Sequence, residues 1–459
     1  MSAHAECDRP YGAYPARSHG ATVPGEGVAS HFHPSAPRFG VRSGMTNDPG
    51  RVCVVGGGII GASAALHLVE AGASDVVLVD AGDPLGGTTP AGAGFVARFG
   101  SDHNRRLGGQ TVALQDYGLR FYRRLHDEGA DLEFAANGNV VLALTDGMLD
   151  TLAAGILDHP AVSADTRRVE RDETVELLRG TVDPNAIAGG VFMPEGIQLT
   201  TGLALEEMLR RLDAANVDIR WNTPVTGIRL DNGIATGVET PDGIIEASTV
   251  VLAAGAWNNV LLDIVDRPLP LIPMVATRCV SEPAGLPSDM PTVQCMELGL
   301  WLRELHGAFS WGGGFAYRLL SALREDGLEF ELGRPVVDEL VDAQHAHQAA
   351  VADVFPALSG LATAETIQGI PVYTVDGGLY IGSVPDVGGL WAVAGDSESG
   401  ITHGPGMGRL VAELVTGTTP FTDPTPFRLD RVDMARYPDE ASMVAAMAED
   451  RIATTAQRG

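Results

Sequence analysis

The 459-residue sequence contains no lysine: all 31 of its Lys/Arg positions are arginine. No side-chain amine is therefore on hand to form a Schiff base, to grip a phosphate in a P-loop or to act as a lysine general base. Positive charge is scarce altogether. Against 59 acidic residues the arginines leave a formal net charge of −28 at pH 7. That balance repels phosphate backbones and anionic lipid, and argues against nucleic-acid and membrane-surface partners. Cysteine is rare too: Cys7, Cys53, Cys279 and Cys295 are scattered, with no paired spacing for a disulfide framework or a CxxC metal site. No apolar run reaches the roughly 18 residues of a membrane span. The N-terminus lacks the charged-then-apolar order of a secretory signal. These absences predict a cytoplasmic protein with no metal site.

What is present is globular in composition, 45% hydrophobic and 20% charged, in a chain long enough for two domains. Residues 1–50 are the exception, rich in Gly, Pro, Ser and His with no hydrophobic period, and are expected to form a disordered leader. Its histidines (His4, His19, His31, His33) read either as a metal cluster or as a plain solvated tail, and Met45 reads as an alternative start.

From Arg51 the pattern changes. A short β-run, Arg51–Val55, meets Gly56-Gly57-Gly58-Ile59-Ile60-Gly61, then an apolar helix to Ala71, then a second strand, Asp75–Val79, closed by Asp80 and Ala81. In Gly56-x-Gly58-x-x-Gly61 the first glycine makes the tight turn and the second lets backbone approach a pyrophosphate. The third lets the helix pack close to the strand. Helix amides then face the anion, and Asp80 is placed to accept ribose hydroxyls. A bare glycine motif is weak evidence, but between two strands and with this acid it predicts a dinucleotide site.

The rest of the chain is not a run of regular βα repeats. Helices are predicted at 105–128, 147–157, 173–179 and 204–215, with sheet at 132–145 and 218–221 and a glycine-punctuated meander to 245. Apolar strands ending in glycine recur at Val250–Gly255 and Ala392–Gly395, the second followed by a helix from about Pro405 to Val415. A nucleotide domain assembled from separated segments suits a large buried flavin, and so FAD.

The chain resembles the FAD-dependent amine oxidoreductases of the D-amino-acid oxidase superfamily, most of all the sarcosine and dimethylglycine oxidases and dehydrogenases. The resemblance is carried by Val54–Gly61, Gly87-Thr88-Thr89, Val250–Trp257, Pro270–Pro273, Asp376–Gly382 and Gly400–Gly408, in order over roughly 51–430. It implies an α/β fold: a Rossmann-like FAD-binding domain from segments 51–100, 191–265 and 365–430. An α+β substrate domain with an antiparallel sheet would come from 101–190 and 266–364, followed by a C-terminal tail, 431–459. The cofactor set it implies is Gly56, Gly58, Ile59, Ile60, Gly61, Asp80, Ala81, Gly87, Thr88, Thr89, Val225, Ala254, Gly255, Trp257, Gly400, Ile401, Thr402 and His403.

Departures from the family matter as much. Several members tether the flavin to a histidine after the Gly-Thr-Thr stretch, where this chain has Ala91 in Thr89-Pro90-Ala91-Gly92. Others use a cysteine before the Asp-Gly turn, where Ile370–Thr374 offers none. FAD is therefore expected to be non-covalent. The arginine near Pro371 and the lysine near Thr402 that clamp a substrate carboxylate are missing. The His and Tyr of dimethylglycine oxidases fall near Ala276 and near Trp301 or Leu302. Either Arg98, Arg278, Arg303 or Arg318 takes the carboxylate, or the substrate is no simple amino acid. Met296, Trp301, Trp311 and Phe315 suit a larger, partly apolar amine, or equally plain sheet packing. The folate-binding part of the dimethylglycine enzymes has no counterpart here, so no folate domain is implied.

The expected reaction is hydride transfer from the carbon beside an amine nitrogen to flavin N5, leaving an imine that hydrolyses. The expected partners are a small amine and either O2 or another electron acceptor. Without a lysine to assist oxygen, the balance tilts towards a dehydrogenase. His403 in the turn before the last helix, Arg98 after the flavin loop, Tyr373 before the Asp-Gly turn and His306 in Leu-His-Gly are the candidate catalytic residues. Two other functions stay open: an aromatic hydroxylase-type flavin monooxygenase, whose Gly-Asp signature Gly395-Asp396 imitates, and a flavin-binding protein without turnover.

Overall fold

The computed structural model describes residues 49–98, 108–313, 317–328 and 333–447. Residues 1–48 of the leader, Phe315 and the last twelve residues of the C-terminal tail lie outside the described residues.

A six-stranded sheet has Arg51–Val55 near its middle, in the order Tyr380–Ser383, Leu390–Ala394, Thr249–Leu252, Arg51–Val55, Asp75–Val79, Asp218–Arg220. All its pairings are parallel except that of Tyr380–Ser383 with Leu390–Ala394. Apart from the edge strand Asp218–Arg220, its strands are mostly apolar because both faces are covered. Alternation divides them: Val52, Val54, Val76 and Leu78 enter a core with the helices on one side. Cys53, Val55, Val77 and Val79 enter a second core with a three-stranded antiparallel meander, Gly227–Asp231, Ile234–Thr240 and Gly243–Glu246.

On the helical side, Ile59–Glu70 packs between Thr201–Ala214 and Gly400–Val415. The last helix approaches closely because Gly404 and Gly408 face Ile59 and the Ser63–Ala64 backbone, where a Cβ would crowd. It begins at Gly400, five residues before the start expected at Pro405, and so holds that proline inside it. A proline is tolerable there only if the carbonyl four residues back finds another donor, and it does. The helix predicted over 105–128 is seen as Gly109–Asp127, and of the predicted 132–145 sheet Asn139–Ala143 forms a strand.

A second, larger sheet runs Arg318–Leu319, Leu271–Ser281, Ala308–Gly312, Leu300–Leu305, Thr292–Cys295, Asn139–Ala143, Gly189–Met193, Arg167–Glu170. Thr363–Gly369 and Val372–Thr374 also pair with Leu271–Ser281. Among the described residues its pairings are antiparallel except that of Thr292–Cys295 with Asn139–Ala143. The fold is thus mixed α/β, and one face of this second sheet closes the cavity described next.

Candidate functional site

The turn after Arg51–Val55 is built by glycine. Gly56 has φ +111°, and a Cβ there would strike the Ala253 carbonyl on the neighbouring strand. A Cβ on Gly61 would strike the Gly56 carbonyl oxygen, so helix and turn are in direct contact. Gly58 is different. Its φ is −74°, and only Thr89 Oγ1, at 3.4 Å, would touch an added Cβ. Its missing side chain serves something other than packing. Thr89 Oγ1 accepts the first-turn Ile59 N–H at 3.0 Å, and the helix N-terminus opens onto the cavity through Gly58, Ile59 and Ile60.

Asp80 is held by backbone: its carboxylate accepts from Gly57 N at 2.6 Å and from Gly82 N at 2.8 Å. Thr88 Oγ1 accepts from Ile370 N at 3.0 Å, which fastens the Gly87–Thr89 loop to the segment before Pro371. These elements wall one end of a cavity of about 720 Å³. The other end is the inner face of the larger sheet, where Ala276, Arg278, Gln294 and Trp301 line it, joined by Gly313, Tyr317 and Gln344. Along this face Gly312, Trp301, Gln294 and Val141 are consecutive cross-strand partners. Arg278, 8% exposed, donates to Ser310 Oγ at 3.2 Å. Asp396 and Glu398, in the turn before the last helix, also face the cavity, and Tyr317 Oη donates to Glu398 Oε2 at 3.2 Å. Ser397 and Glu398 hold φ of 48° and 66°, a strained pair at a site wall.

Of the residues expected to hold the cofactor, all but Gly61 and His403 line this cavity. Gly61 lies behind the turn, as packing requires. His403 is fully buried in the first turn of the last helix, with Nε2 3.2 Å from the Gln115 amide nitrogen. Arg98 forms an ion pair with Asp116 and donates to the Ala161 carbonyl at 3.1 Å. Tyr373 packs with Ile272 and Val375, its ring 6.1 Å from that of Tyr317 in an edge contact. His306 sits on a hairpin turn with φ +53°, its Nε2 3.0 Å from Glu133. None of these four candidate catalytic residues lines the cavity. Arg318 is engaged with Glu339 and Asp326, and Trp311 and Met296 face hydrophobic clusters. Trp301 and Arg278 do line the cavity. Gln294, Gln344, Tyr317 and Glu398 were not anticipated. Of these only Glu398 lay near a signal, just after Gly395-Asp396, where Ser397-Glu398-Ser399 does not continue the hydroxylase pattern.

The turn geometry, the acid at the second strand and the sheet-roofed cavity agree with one family model, FAD dependent oxidoreductase, which matches residues 51–414. The chain belongs to this family. Among its relatives is 4-methylaminobutanoate oxidase (formaldehyde-forming) of Paenarthrobacter nicotinovorans, 27% identical over 84% of this chain and 45% of that protein. The chain therefore spans about half the length of that relative. Glycine oxidase of Pseudomonas putida is 27% identical over 82% of this chain and 97% of its own length. The crystal structure of glycine oxidase from Geobacillus kaustophilus superposes with a TM-score of 0.72 at 23% identity, covering 84% of this chain and 100% of that one. The cofactor of the family is FAD, and the cavity fits it. Gly58 leaves room where a pyrophosphate would lie, the helix N-terminus faces that room, and Asp80 lines the same end of the cavity. Among the described residues, no helix is long and apolar enough to cross a membrane, and no group of acidic, histidine or cysteine side chains is arranged to hold a metal.

Proposed function

We propose that the chain oxidises the C–N bond of a secondary or tertiary amine, or of an amino acid, with FAD as its redox group. The observation that carries this is the continuity of the cavity from the glycine turn to the inner face of the second sheet. When bound, FAD supplies the hydride acceptor for the carbon beside the amine nitrogen, and water hydrolyses the imine left behind. Gly58 and the first helical turn would hold its pyrophosphate and Asp80 its ribose, and Gly400–Thr402, opening the last helix, would present backbone N–H groups to the flavin. Trp301 and Gln294 form the floor against which the amine is placed, and Arg278 is a cation on the same wall.

An amine enters this reaction as the free base, because its lone pair must assist the departing hydride. Glu398, already accepting from Tyr317, is the carboxylate on the wall that takes the proton an ammonium substrate sheds. His403, Arg98 and Tyr373 support the wall from behind on this reading. Molecular oxygen or another acceptor then removes the electrons.

The test is anaerobic mixing of the yellow holoenzyme with a panel of N-methylated amines, cyclic amines and amino acids. Bleaching of the flavin by one or more members is the expected result. Bleaching by NADH alone, with every amine inert, would overturn it in favour of a monooxygenase.

A further inference from the structure

Beside Trp301 the sheet wall carries a glutamine whose amide is only half used. Gln294 is the cross-strand partner of Trp301 and lines the cavity, yet it is only 7% exposed. The Trp301 indole leans the other way. A Cβ added to Gly312, its partner on the opposite side, would lie 2.4 Å from Trp301 Cζ2. The Gln294 amide is therefore left uncovered beside the ring. Asn139, on the next strand and fully buried, donates from Nδ2 to Gln294 Oε1 at 3.3 Å. Among the described residues Gln294 Nε2 has no protein acceptor, and it stays open to the cavity.

The hold by Asn139 decides which end of the amide faces inwards. Asn139 Oδ1 has no partner among the described residues. Turning both amides over would pair that oxygen but strand the buried Asn139 Nδ2 with its two N–H groups. A carbonyl with unused lone pairs is the less costly of the two to bury. Gln294 thus presents N–H, a neutral donor, to the cavity. Among the described residues the charged side chains lining the cavity are Asp80, Asp83, Asp396, Glu398 and one arginine, Arg278. Arg278 is already engaged by Ser310 Oγ and the Pro90 carbonyl. It lies three strands along the sheet from Gln294, about 14 Å away at the usual strand spacing. A carboxylate set against Gln294 would be desolvated with no cation beside it among these lining residues. A ketone, amide or ester carbonyl needs only the one N–H.

Resting on the amine-oxidation reading above, we propose that Gln294 selects as substrate an amine that also carries an uncharged carbonyl, whose oxygen accepts from Gln294 Nε2. The apolar body of such a molecule lies against Trp301 and Phe95, two lining rings whose centroids are 6.3 Å apart. Gln294 is then a specificity-determining residue. Asn139 is a positioning residue that keeps the N–H turned to the ligand. An amine with only hydrocarbon at that point would leave the buried N–H unpaired, and binding discriminates against it.

The experiment titrates the holoenzyme with three flat probes of similar shape, acetophenone, α-methylstyrene and benzoate, following the perturbation of the flavin absorbance. The first two differ in offering an oxygen or a methylene. The ratio of their Kd values, compared between variants, therefore isolates the Gln294 bond. Gln294→Met should shift that ratio against acetophenone by about tenfold, equivalent to ~1.4 kcal/mol, with the α-methylstyrene Kd moving less than about threefold. Gln294→Glu keeps the bond from Asn139 but turns an oxygen to the cavity, and should shift the ratio the same way. Asn139→Leu frees the amide to turn, and should shift it by about threefold. In the native enzyme benzoate should bind at least about tenfold more weakly than acetophenone. An unchanged ratio in Gln294→Met, or benzoate binding as tightly as acetophenone, would overturn the proposal. If Gln294→Met does not retain FAD, Gln294→Glu decides. A shifted ratio with no amine bleaching the flavin would sink the oxidation reading and leave the donor site standing. Bleaching by amines with an unchanged ratio does the reverse.

Discussion

The hydroxyl of Tyr122 donates to the carbonyl of Ile401 at 2.9 Å, the one carbonyl in its helix that Pro405, four residues on, has no N–H to serve. Tyr122 is fully buried, and burial pushes its phenol well above the usual range, so the hydroxyl stays a donor. Through this bond a proline sits inside the helix whose first turn lines the cavity.

Tyr122→Phe should therefore destabilise the protein by about 1–2 kcal/mol, since it strands a buried carbonyl. Pro405→Ala restores an intrahelical donor to Ile401, and in that background Tyr122→Phe should cost less than half as much. A double-mutant cycle in denaturant measures the coupling, and strictly additive effects would show that the two residues do not share this carbonyl.

Cofactor binding and folding should separate at Gly58. Its backbone is in a region open to all residues, and an added Cβ meets only Thr89 Oγ1. Gly58→Val should therefore fold with near-native stability yet lose FAD, because its side chain occupies the pyrophosphate's room. Gly61→Val, whose Cβ would collide with the Gly56 carbonyl, should fail to fold properly. In the native protein, acid precipitation should release intact FAD, as neither Ala91 nor Pro371 on the wall carries a nucleophile. Flavin left in the pellet, or a yellow Gly58→Val, would refute these expectations.

The contrast between these glycines shows what the sequence could reveal. Gly56, Gly58 and Gly61 were legible because their spacing and flanking strands fix one local geometry. The two-sided burial of Arg51–Val55 and Asp75–Val79 was legible as unbroken apolar runs. The last helix was misread at its start because Pro405 is a local stop signal. What overrides it is Tyr122, nearly 280 residues earlier, a contact no local pattern encodes. The sheet wall of the cavity was hidden for a related reason. Arg278 and Trp301 meet on one face only after three strands are placed in register, and until then Arg278 is one arginine among 31. His403 stood out in a glycine-rich turn, yet a helical residue next to one that lines a cavity points about 100° away from it.

Acid should expose a second anchor. Arg431 grips Asp376 with Nε at 3.0 Å and Nη2 at 2.9 Å, and its guanidinium lies 3.5 Å from the Tyr380 ring centroid. Burial alone would raise the Asp376 carboxyl, but the Arg431 hydrogen bonds and charge hold it below the usual range. A depressed carboxyl contributes stability that is full above its unfolded value, near 4, and is lost as pH falls through its lower folded value. Arg431→Met should cost about 1 kcal/mol at pH 7, a figure kept small by the partial exposure of the pair. The difference from the native protein should shrink below pH 4. Melting curves over that range check it, and a pH-independent difference would assign the loss to packing on Tyr380 instead.

Asp396 should give the opposite slope. Its carboxyl faces the cavity beside Gly400, and burial, reinforced by the nearby charge of Glu398, raises it from 3.8 to about 6. For a raised carboxyl the sign reverses. Its contribution is full below the unfolded value near 4 and is lost as pH climbs through about 6, because the folded chain must then hold a poorly solvated anion. Asp396→Asn keeps the shape and an acceptor for the backbone but cannot ionise. Freed of FAD, the native protein should therefore lose Tm relative to Asp396→Asn as pH rises from about 4 to about 6.5, by about 2 °C or more. Glu398→Gln should recover a smaller part of the same loss, since it removes only the second cause. Parallel melting curves for the native protein and Asp396→Asn across that window would show that the carboxyl is not raised. Below about pH 4 the difference should stop changing with pH, and that plateau distinguishes the titration from a general gain in packing.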